Sequence, residues 1–228
     1  MSLVIGIDGC KAGWFTVWHT QDETIETAIF QSINNLKDFF VEPNKLIIGI
    51  DMPVVLSEVM PREADQLARK LLSKKASSVF TAPTPEMLGQ PNYEKACLIS
   101  KNLIGKSMSL QSWYLFPKIK DVQTILHYKN IKIFEIHPEL SFRAMNNEKV
   151  ILESKKTIEG FDIRKALLDK HFLNFNFDVI RNKYQKKDVM DDDILDALVV
   201  LWSTKRIVNN QASYLPEIPE KPNMQIVY

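Results

Sequence analysis

The sequence predicts a single α/β domain, with a mixed five-stranded sheet flanked by helices and a helical insertion. Two apolar runs carry this prediction, LVIGIDGC at Leu3–Cys10 and LIIGIDMP at Leu46–Pro53. Each run is rich in β-branched residues and contains Ile-Gly-Ile-Asp, which is typical of a strand buried on both faces. Between the two runs, stretches rich in aromatic and β-branched residues predict further strands joined by short turns.

The first half of the predicted sheet follows in chain order. Leu3–Asp8 is the first strand, and Trp14–Thr20 and Thr24–Gln31 continue it as an antiparallel meander. Ser32 is a suitable N-cap for a helix, and this helix can cross over to a fourth strand at Lys45–Asp51. A helical crossover allows the fourth strand to lie parallel to the first. Three antiparallel strands, a helix and a parallel strand are the opening of the RNase H-like fold.

Helices are predicted over the middle of the chain. Pro61–Lys75 has an amphipathic pattern, and Tyr93–Tyr128 is predicted to be mostly helical. The proline-rich stretch Ser77–Pro91 between them is interpreted as an ordered loop. We therefore place a helical insertion at about 57–129, within one domain that spans 1–228.

The last part of the chain supplies a fifth strand and two helices. The strand is predicted at Ile131–His137, and the helices at Ile158–Phe172 and Asp188–Ile207. Three prolines at positions 216, 219 and 222 indicate an extended tail.

Composition excludes some classes of function. The chain has 228 residues and a net charge of +1, so it does not have the strongly positive overall charge of many DNA-binding proteins. The two cysteines, Cys10 and Cys97, follow no signal peptide, which predicts reduced thiols and a cytoplasmic protein. Since no run of about 18 apolar residues occurs, we expect no transmembrane helix and no membrane partner. The sequence does not indicate an oligomeric state.

Two aspartates occupy equivalent positions, because Asp8 and Asp51 each close one of the two matching strands. Ligands in open α/β sheets bind beyond the carboxyl ends of the strands, so the pair predicts one shared acidic site. The alternative is that each aspartate simply opens a turn.

The last predicted helix is unusually acidic at its start. Asp191, Asp192 and Asp193 fill its first turn, whereas Asp196 lies inside an apolar run where an unpaired carboxylate is costly. Asp193 and Asp196 share a helix face, and Asp192 could replace Asp193 in that pair. The alternative is a helix cap together with one aspartate paired to a lysine or arginine.

Glu135 is a further candidate because it lies inside the fifth strand, where it needs a partner unless it faces solvent from an edge. His137 on the same strand face is a weaker candidate. A carboxylate-rich site selects Mg²⁺ or Mn²⁺, and two such ions about 4 Å apart can hydrolyse phosphodiesters. The predicted metal ligands and catalytic residues are Asp8, Asp51, Glu135, Asp193 and Asp196, with Asp192 as the alternative to Asp193.

Five motifs together resemble the domain-of-unknown-function 429 (DUF429) family, a group of predicted RNase H-like nucleases. IGIDGCKAGW at Ile5–Trp14 is similar to its GIDGCKGGW opening, and IDMP at Ile50–Pro53 to its IDIP. The stretch Pro61–Pro83 resembles its third motif, R-x-x-D-x-x-A-R followed by SSVF-x-x-P. EIHPELSF at Glu135–Phe142 and DDILDAL at Asp192–Leu198 resemble its last two motifs. The chain departs from the family at Ala12 and at Lys74–Lys75, where Gly and Arg are common, but no carboxylate changes.

The resemblance implies an RNase H-like sheet whose two aspartate strands are adjacent and parallel, so that the predicted acids converge. The spacing on the last helix is also similar to that of the RNase H-superfamily junction resolvases. The resemblance also implies a phosphate-binding group beside the metals, formed by Lys11, Arg62, Arg69, Ser77 and Ser78. The alternative is that Arg62 and Arg69 pair with Asp65 or Glu63 on a solvated helix face.

These patterns favour a metal-dependent nuclease or phosphodiesterase that acts on a nucleic acid or a nucleotide. A second hypothesis is a nucleotide-binding relative of actin-like ATPases and sugar kinases, in which Gly6–Gly9 would meet phosphates. A third is a catalytically silent binding module. The sequence does not distinguish DNA, RNA, a junction or a small nucleotide as the substrate, and we expect the segment Tyr93–Tyr128 to set that choice.

Overall fold

The computed structural model describes residues 2–40, 45–173 and 175–228. Within these residues the chain forms a mixed seven-stranded sheet with the order β3-β2-β1-β4-β5-β7-β6. The strands are β1 (Ser2–Cys10), β2 (Gly13–His19), β3 (Ile25–Phe30), β4 (Lys45–Ile50), β5 (Ile131–Ile136), β6 (Tyr214–Leu215) and β7 (Ile226–Val227).

Strand directions follow from the lengths of the connections. Short turns join β1, β2 and β3, which are antiparallel. The longer connections allow β4 to pair parallel with β1 and β5 to pair parallel with β4. All five predicted strands are present, with ends that shift by one or two residues.

The prediction of five strands was incomplete, because the C-terminal tail adds two more. β7 lies parallel to β5 and pairs with Glu135 and Ile136, and β6 lies antiparallel to β7. Each added strand has only two residues. Such a short strand shows no alternating pattern in the sequence, and the surrounding prolines indicated only an extended tail.

Helices cover both faces of the sheet. They are α1 (Ile33–Phe39), α2 (Glu63–Leu72), α3 (Pro85–Leu88), α4 (Tyr93–Ile104), α5 (Leu110–Tyr114), α6 (Phe116–Gln123), α7 (Pro138–Met145), α8 (Ile158–His171), α9 (Phe177–Arg181) and α10 (Asp191–Val208). The helix predicted at 61–75 is shorter than expected, because Ser73 adopts a positive φ of 48° that ends α2. The stretch 77–91, predicted to be a loop, instead contains the end of a 3₁₀ helix (Ser73–Ser78) and the whole of α3.

The hydrophobic core consists of two layers, one on each face of the sheet. Ile5 and Ile48 point into the layer formed with α1 and the helices between β4 and β5. Phe15 and Val17 point into the opposite layer, formed mainly with α8 and α10. Because successive side chains of a strand alternate between faces, Gly6 and Asp8 lie on the α10 side.

Two expectations from composition concern thiols and membranes. Cys10 and Cys97 are both free and buried. Among the described residues, no helix has the length and apolar character needed to cross a bilayer.

Candidate active site

The carboxyl ends of β1 and β4 bring two aspartates to one edge of the sheet. Ile7 of β1 lies opposite Ile50 of β4, and the amide of Asp51 extends this pairing by donating to the carbonyl of Ile7 at 3.1 Å. Asp8 is 7% exposed, and its Oδ1 accepts a hydrogen bond from the amide of Gly9 at 2.8 Å. The prediction that the two aspartate strands are adjacent and parallel is therefore confirmed.

Helix α10 adds two more acids to this edge. Asp196 is only 3% exposed, and its Oδ2 accepts a hydrogen bond from Lys155 Nζ. Asp193 accepts from the amide of Met190 at 2.8 Å and thereby caps the helix, and Asp192 lies 3.4 Å from Lys155 Nζ. A cap and a lysine pair are the contacts of the simpler interpretation. That interpretation does not explain why Asp8 and Asp51, from two strands, also lie close to Asp196.

These elements enclose a cavity of about 230 Å³ at the edge of the sheet. Three of the predicted acids line it, namely Asp8, Asp51 and Asp193, together with the lysines Lys118 and Lys155. The remaining lining residues are Gly9, Met52, Ser78, Phe80, Leu115 and His137. We refer to this space as the acidic cavity.

Burial and mutual repulsion raise the proton affinity of the aspartates. Burial is the largest cause for Asp8, whose pKa lies well above its ordinary value, and the charges of Asp51 and Asp196 add to it. Burial, reinforced by the charge of Asp196, raises the pKa of Asp51 to about 8. Burial also raises the pKa of Asp193 to about 6, although its bond from the Met190 amide acts in the opposite direction. These carboxyl groups therefore cannot all be ionised near neutral pH without a large cost in free energy.

The two lysines of the cavity respond differently to their surroundings. Burial alone would lower the pKa of Lys155, but the carboxylates of Asp196 and Asp8 outweigh it and raise the pKa. Burial lowers the pKa of Lys118, whose Nζ donates to the carbonyl of Gly13 at 2.5 Å. The same ammonium lies 4.3 Å from the centre of the Trp14 ring. Lys155 is thus held by acids, whereas Lys118 is held by a carbonyl and an aromatic ring.

Glu135 lies near Asp51, with which it lines a second small cavity, and its charge contributes to the raised pKa of Asp51. It lies opposite Ile50 on β5, and Ile50 points into the core layer away from α10. Arg62 binds both oxygens of Glu135, with N–O distances of 2.6 and 2.8 Å, and the amide of Val54 donates at 3.1 Å. The alternation of β5 therefore directs Glu135 to an arginine and removes it from the set of free ligands.

The predicted phosphate group is mostly a structural clamp. Arg62 pairs with Asp65 as well as Glu135, and all three are buried rather than on a solvated helix face. Arg69 donates to the carbonyl of Val79 and to the hydroxyl of Thr81, at 2.8 and 2.7 Å. These bonds attach α2 to the segment 79–82, and the amide of Ala82 donates to Asp65 at 3.2 Å.

The remaining predicted phosphate ligands also lie differently from expectation. Lys11 and Ser77 are exposed and do not line the acidic cavity. Ser78 lines it, but its hydroxyl donates to the carbonyl of Lys75 at 2.8 Å. The cations that do line the cavity are the two lysines, Lys118 and Lys155.

Comparison with known proteins decides the family. The sequence model of a family described as "Protein of unknown function (DUF429)" matches residues 6–221, which is nearly the whole chain. The chain belongs to the DUF429 family. No curated protein sequence matches it. No solved structure matches it either.

His137 brings an imidazole ring into the acidic cavity of this DUF429 protein. Its Nε2 lies 3.3 Å from the carbonyl of Ser78, and its buried Nδ1 has no hydrogen-bond partner among the described residues. Burial lowers the pKa of His137 and so favours the neutral form of the ring. A neutral imidazole can bind a metal ion or accept a proton.

The acids do not form a ready-made metal cage. Within 2–40, 45–173 and 175–228, no three His, Cys, Asp or Glu side chains converge closely enough to hold an ion. The ammonium of Lys155 contacts Asp192 and Asp196, and the guanidinium of Arg62 holds Glu135. Both cations occupy carboxylate oxygens that an ion would need.

A larger cavity of about 580 Å³ lies elsewhere on this DUF429 protein, between the segment after β4 and the helices α3 and α6. Its walls are mainly apolar, with Val54, Leu56, Pro85 and Leu88 among them. Because it contains no acid, histidine or cysteine, it lacks the groups that hydrolysis or metal binding requires. The smaller acidic cavity contains such groups and is therefore the candidate active site.

Sequence reasoning missed both lysines of the acidic cavity. Lys118 lies on α6, inside the helical insertion, and Lys155 lies in the connection that precedes α8. Neither belongs to a recognisable motif, and each has another lysine within two positions. Only the tertiary fold distinguishes them, since it brings both side chains to the ends of β1 and β4.

Proposed function

We propose that this DUF429 protein is a metal-dependent hydrolase of phosphodiester bonds, with a nucleic acid or a nucleotide as its substrate. The observation that carries the proposal is the convergence of Asp8, Asp51, Asp193 and Asp196 on one edge of the sheet. These carboxylates come from the ends of two strands and from one helix. Neighbouring acids of this density are costly unless a cation compensates their charge.

The fold supports the same proposal. The order β3-β2-β1-β4-β5, with three antiparallel strands followed by parallel ones, supports our proposal that the sheet is RNase H-like. In that arrangement the acids lie at the carboxyl ends of the parallel strands, where α/β proteins bind their ligands. We place the RNase H-like active site at the acidic cavity.

The chemical types of the donors, rather than their present spacing, suit a hard divalent cation. Asp8, Asp51, Asp193 and Asp196 offer oxygen ligands, and His137 adds a nitrogen that has no partner among the described residues. Oxygen-rich sites of this kind bind Mg²⁺ or Mn²⁺. Such ions stabilise the negative charge that develops on phosphoryl oxygens. Glu135 is not part of this proposed ligand set.

Other residues bind the substrate and position the acids. Lys118 projects into the cavity from the helical insertion and can pair with a phosphate oxygen of the substrate. The Arg62–Glu135 pair holds the segment after β4 through bonds to Val55 and Val54. This fixes the position at which Asp51 leaves the strand.

Cleavage of labelled substrates tests the proposal. Single-stranded and double-stranded DNA, RNA, a four-way junction and a dinucleotide are incubated with the protein and either Mn²⁺ or EDTA. We expect Mn²⁺-dependent cleavage of at least one substrate, and a loss of at least about 100-fold in Asp196→Asn. Asp191→Asn is the matched control, since Asp191 lies in the same helix but pairs with Arg181 and Lys186.

Two outcomes contradict the proposal. Equal cleavage by Asp196→Asn and the wild type would show that the activity arises elsewhere or from a contaminant. Hydrolysis of ATP without cleavage of any phosphodiester would instead support a nucleotide-binding relative of the actin-like ATPases.

A further inference from the structure

Lys155 is placed where a metal ion would be expected. Its Nζ forms ion pairs with Asp196 and, at 3.4 Å, with Asp192. Both carboxylates are well buried, with side chains 4% and 14% exposed. The hydrogen bond and both ion pairs that the described residues show for this ammonium are to carboxylates. Lys155 therefore supplies positive charge to the acids from within the chain.

The second lysine of the cavity does not serve this purpose. Lys118 is held by the carbonyl of Gly13 and the ring of Trp14. Its ammonium forms no ion pair with a carboxylate among the described residues. Removal of Lys155 would thus leave Asp196 without its cationic partner, whereas removal of Lys118 would not.

The side chain of Lys155 has a route to solvent. It is 33% exposed, and it lies on the connection before α8 rather than inside a helix. The backbone around it is fixed independently, because Thr157 caps α8 and its hydroxyl donates to the carbonyl of Ser154 at 2.8 Å. A lysine has a flexible four-carbon side chain, so its ammonium can move into solvent without a change in the backbone.

We infer that Lys155 is an internal counter-cation that competes with the divalent cation for Asp196 and so sets the affinity of the acidic cavity for metal. This inference rests on the proposed function. An ammonium and a divalent ion repel each other and cannot share one carboxylate oxygen. Metal binding therefore requires Lys155 to leave Asp196, and the lost ion pair weakens the binding of the metal.

Mn²⁺ binding, measured by calorimetry and by electron paramagnetic resonance, tests the inference directly. We expect Lys155→Met to bind Mn²⁺ at least about tenfold more tightly than the wild type, since the competing charge is gone. Lys156→Met is the matched control, because it removes the same charge from the exposed neighbouring position. Lys155→Arg keeps the charge, and it should bind Mn²⁺ with an affinity near that of the wild type.

A second measurement uses the unmutated protein and does not depend on the folding of a variant. The side-chain ammonium of Lys155 is followed by NMR during a titration with Mg²⁺. We expect the signal of a carboxylate-bound ammonium to be replaced by that of a solvated one as the metal binds.

The outcomes separate the inference from the proposed function. If the wild type binds Mn²⁺, and Lys155→Met binds it equally or more weakly, the inference is wrong and the metal site stands. An ammonium signal that stays unchanged at saturating Mg²⁺ leads to the same conclusion. If neither the wild type nor Lys155→Met binds Mn²⁺, the inference and the metal-dependent function fail together.

Discussion

Gly6 and Gly49 lie opposite each other on the parallel strands β1 and β4, and α10 packs directly against both. A methyl group at Gly6 would overlap the backbone of Leu201, and one at Gly49 would overlap the side chain of Thr204. The two glycines therefore allow the helix to approach the sheet closely. This approach brings Asp196 close to Asp8 and Asp51, beside the acidic cavity.

The same relationship explains why Ile-Gly-Ile-Asp occurs twice in the sequence. The glycine of each copy faces α10, and the aspartate two positions later continues on the same face. The glycine leaves room for the helix to pack against the strand. The aspartate lies close to the acidic side chains of the helix. The repeat is thus a packing motif and a site motif together.

Gly6→Ala should destabilise the protein by about 1–3 kcal/mol, because the added methyl meets backbone atoms that cannot move aside separately. We also expect reduced metal-dependent activity, since α10 must shift. Gly89→Ala is the control, because its Cβ would come no closer than 3.6 Å to another atom. Urea denaturation measures the stability of both variants. Equal stability of Gly6→Ala and the wild type would contradict the close approach of α10 to the sheet.

Arg62→Met should destabilise the protein by about 3–5 kcal/mol, because it leaves the buried carboxylates of Asp65 and Glu135 without their partner. Lys165→Met removes a more exposed pair with Asp169 on α8, and it should cost no more than about 0.5 kcal/mol. The free energies of unfolding are compared in urea. A small effect of Arg62→Met would show that the clamp adds little to stability.

The metal-free protein should lose stability as the pH rises from about 4 to about 8. The pKa of Asp51 is about 8 in the folded protein, against an ordinary value of 3.8, so the unfolded chain releases this proton at lower pH. A raised folded-state pKa favours folding below the unfolded value, and this contribution is lost as the pH approaches 8. Asp51→Asn should flatten the dependence, as measured by melting temperatures in EDTA. A melting temperature that increases over this range in the wild type would contradict the sign.

The sequence was sufficient to predict the sheet and its aspartates, because these features depend on local patterns. Apolar runs mark β1 and β4 even without tertiary information, and the crossover helix implies their parallel pairing. Asp196 was recognisable because a carboxylate inside an apolar helix needs a partner.

The contacts of several candidate residues depend on information that the sequence does not contain. Which face of β5 carries Glu135 follows from its register with Ile50, and this register is a tertiary property. Arg69 belongs to a motif, but a motif does not show whether its guanidinium meets a phosphate or the carbonyl of Val79. Lys155 reaches Asp196 across 41 positions of the chain, and its local sequence carries no signal of this contact.

Metal binding should stabilise the folded protein, because the divalent cation has no comparable site in the unfolded chain. At a cation concentration of about 100 times Kd, the gain is about 2.7 kcal/mol, which raises the melting temperature by several degrees. The melting temperature of the wild type is measured in EDTA, in Mg²⁺ and in Mn²⁺. NaCl at the same ionic strength, added in EDTA, controls for effects of ionic strength.

The most direct test of the acidic cavity is the melting temperature of Asp8→Asn beside the wild type, with and without millimolar Mn²⁺. Asp8 is buried among like charges, so its neutralisation should leave the metal-free protein equally or slightly more stable. The same substitution should abolish the Mn²⁺-dependent increase that we expect in the wild type. A metal site at Asp8 is contradicted if the wild type shows no increase with Mn²⁺ and Asp8→Asn is strongly destabilised in EDTA, since Asp8 would then be a structural turn residue.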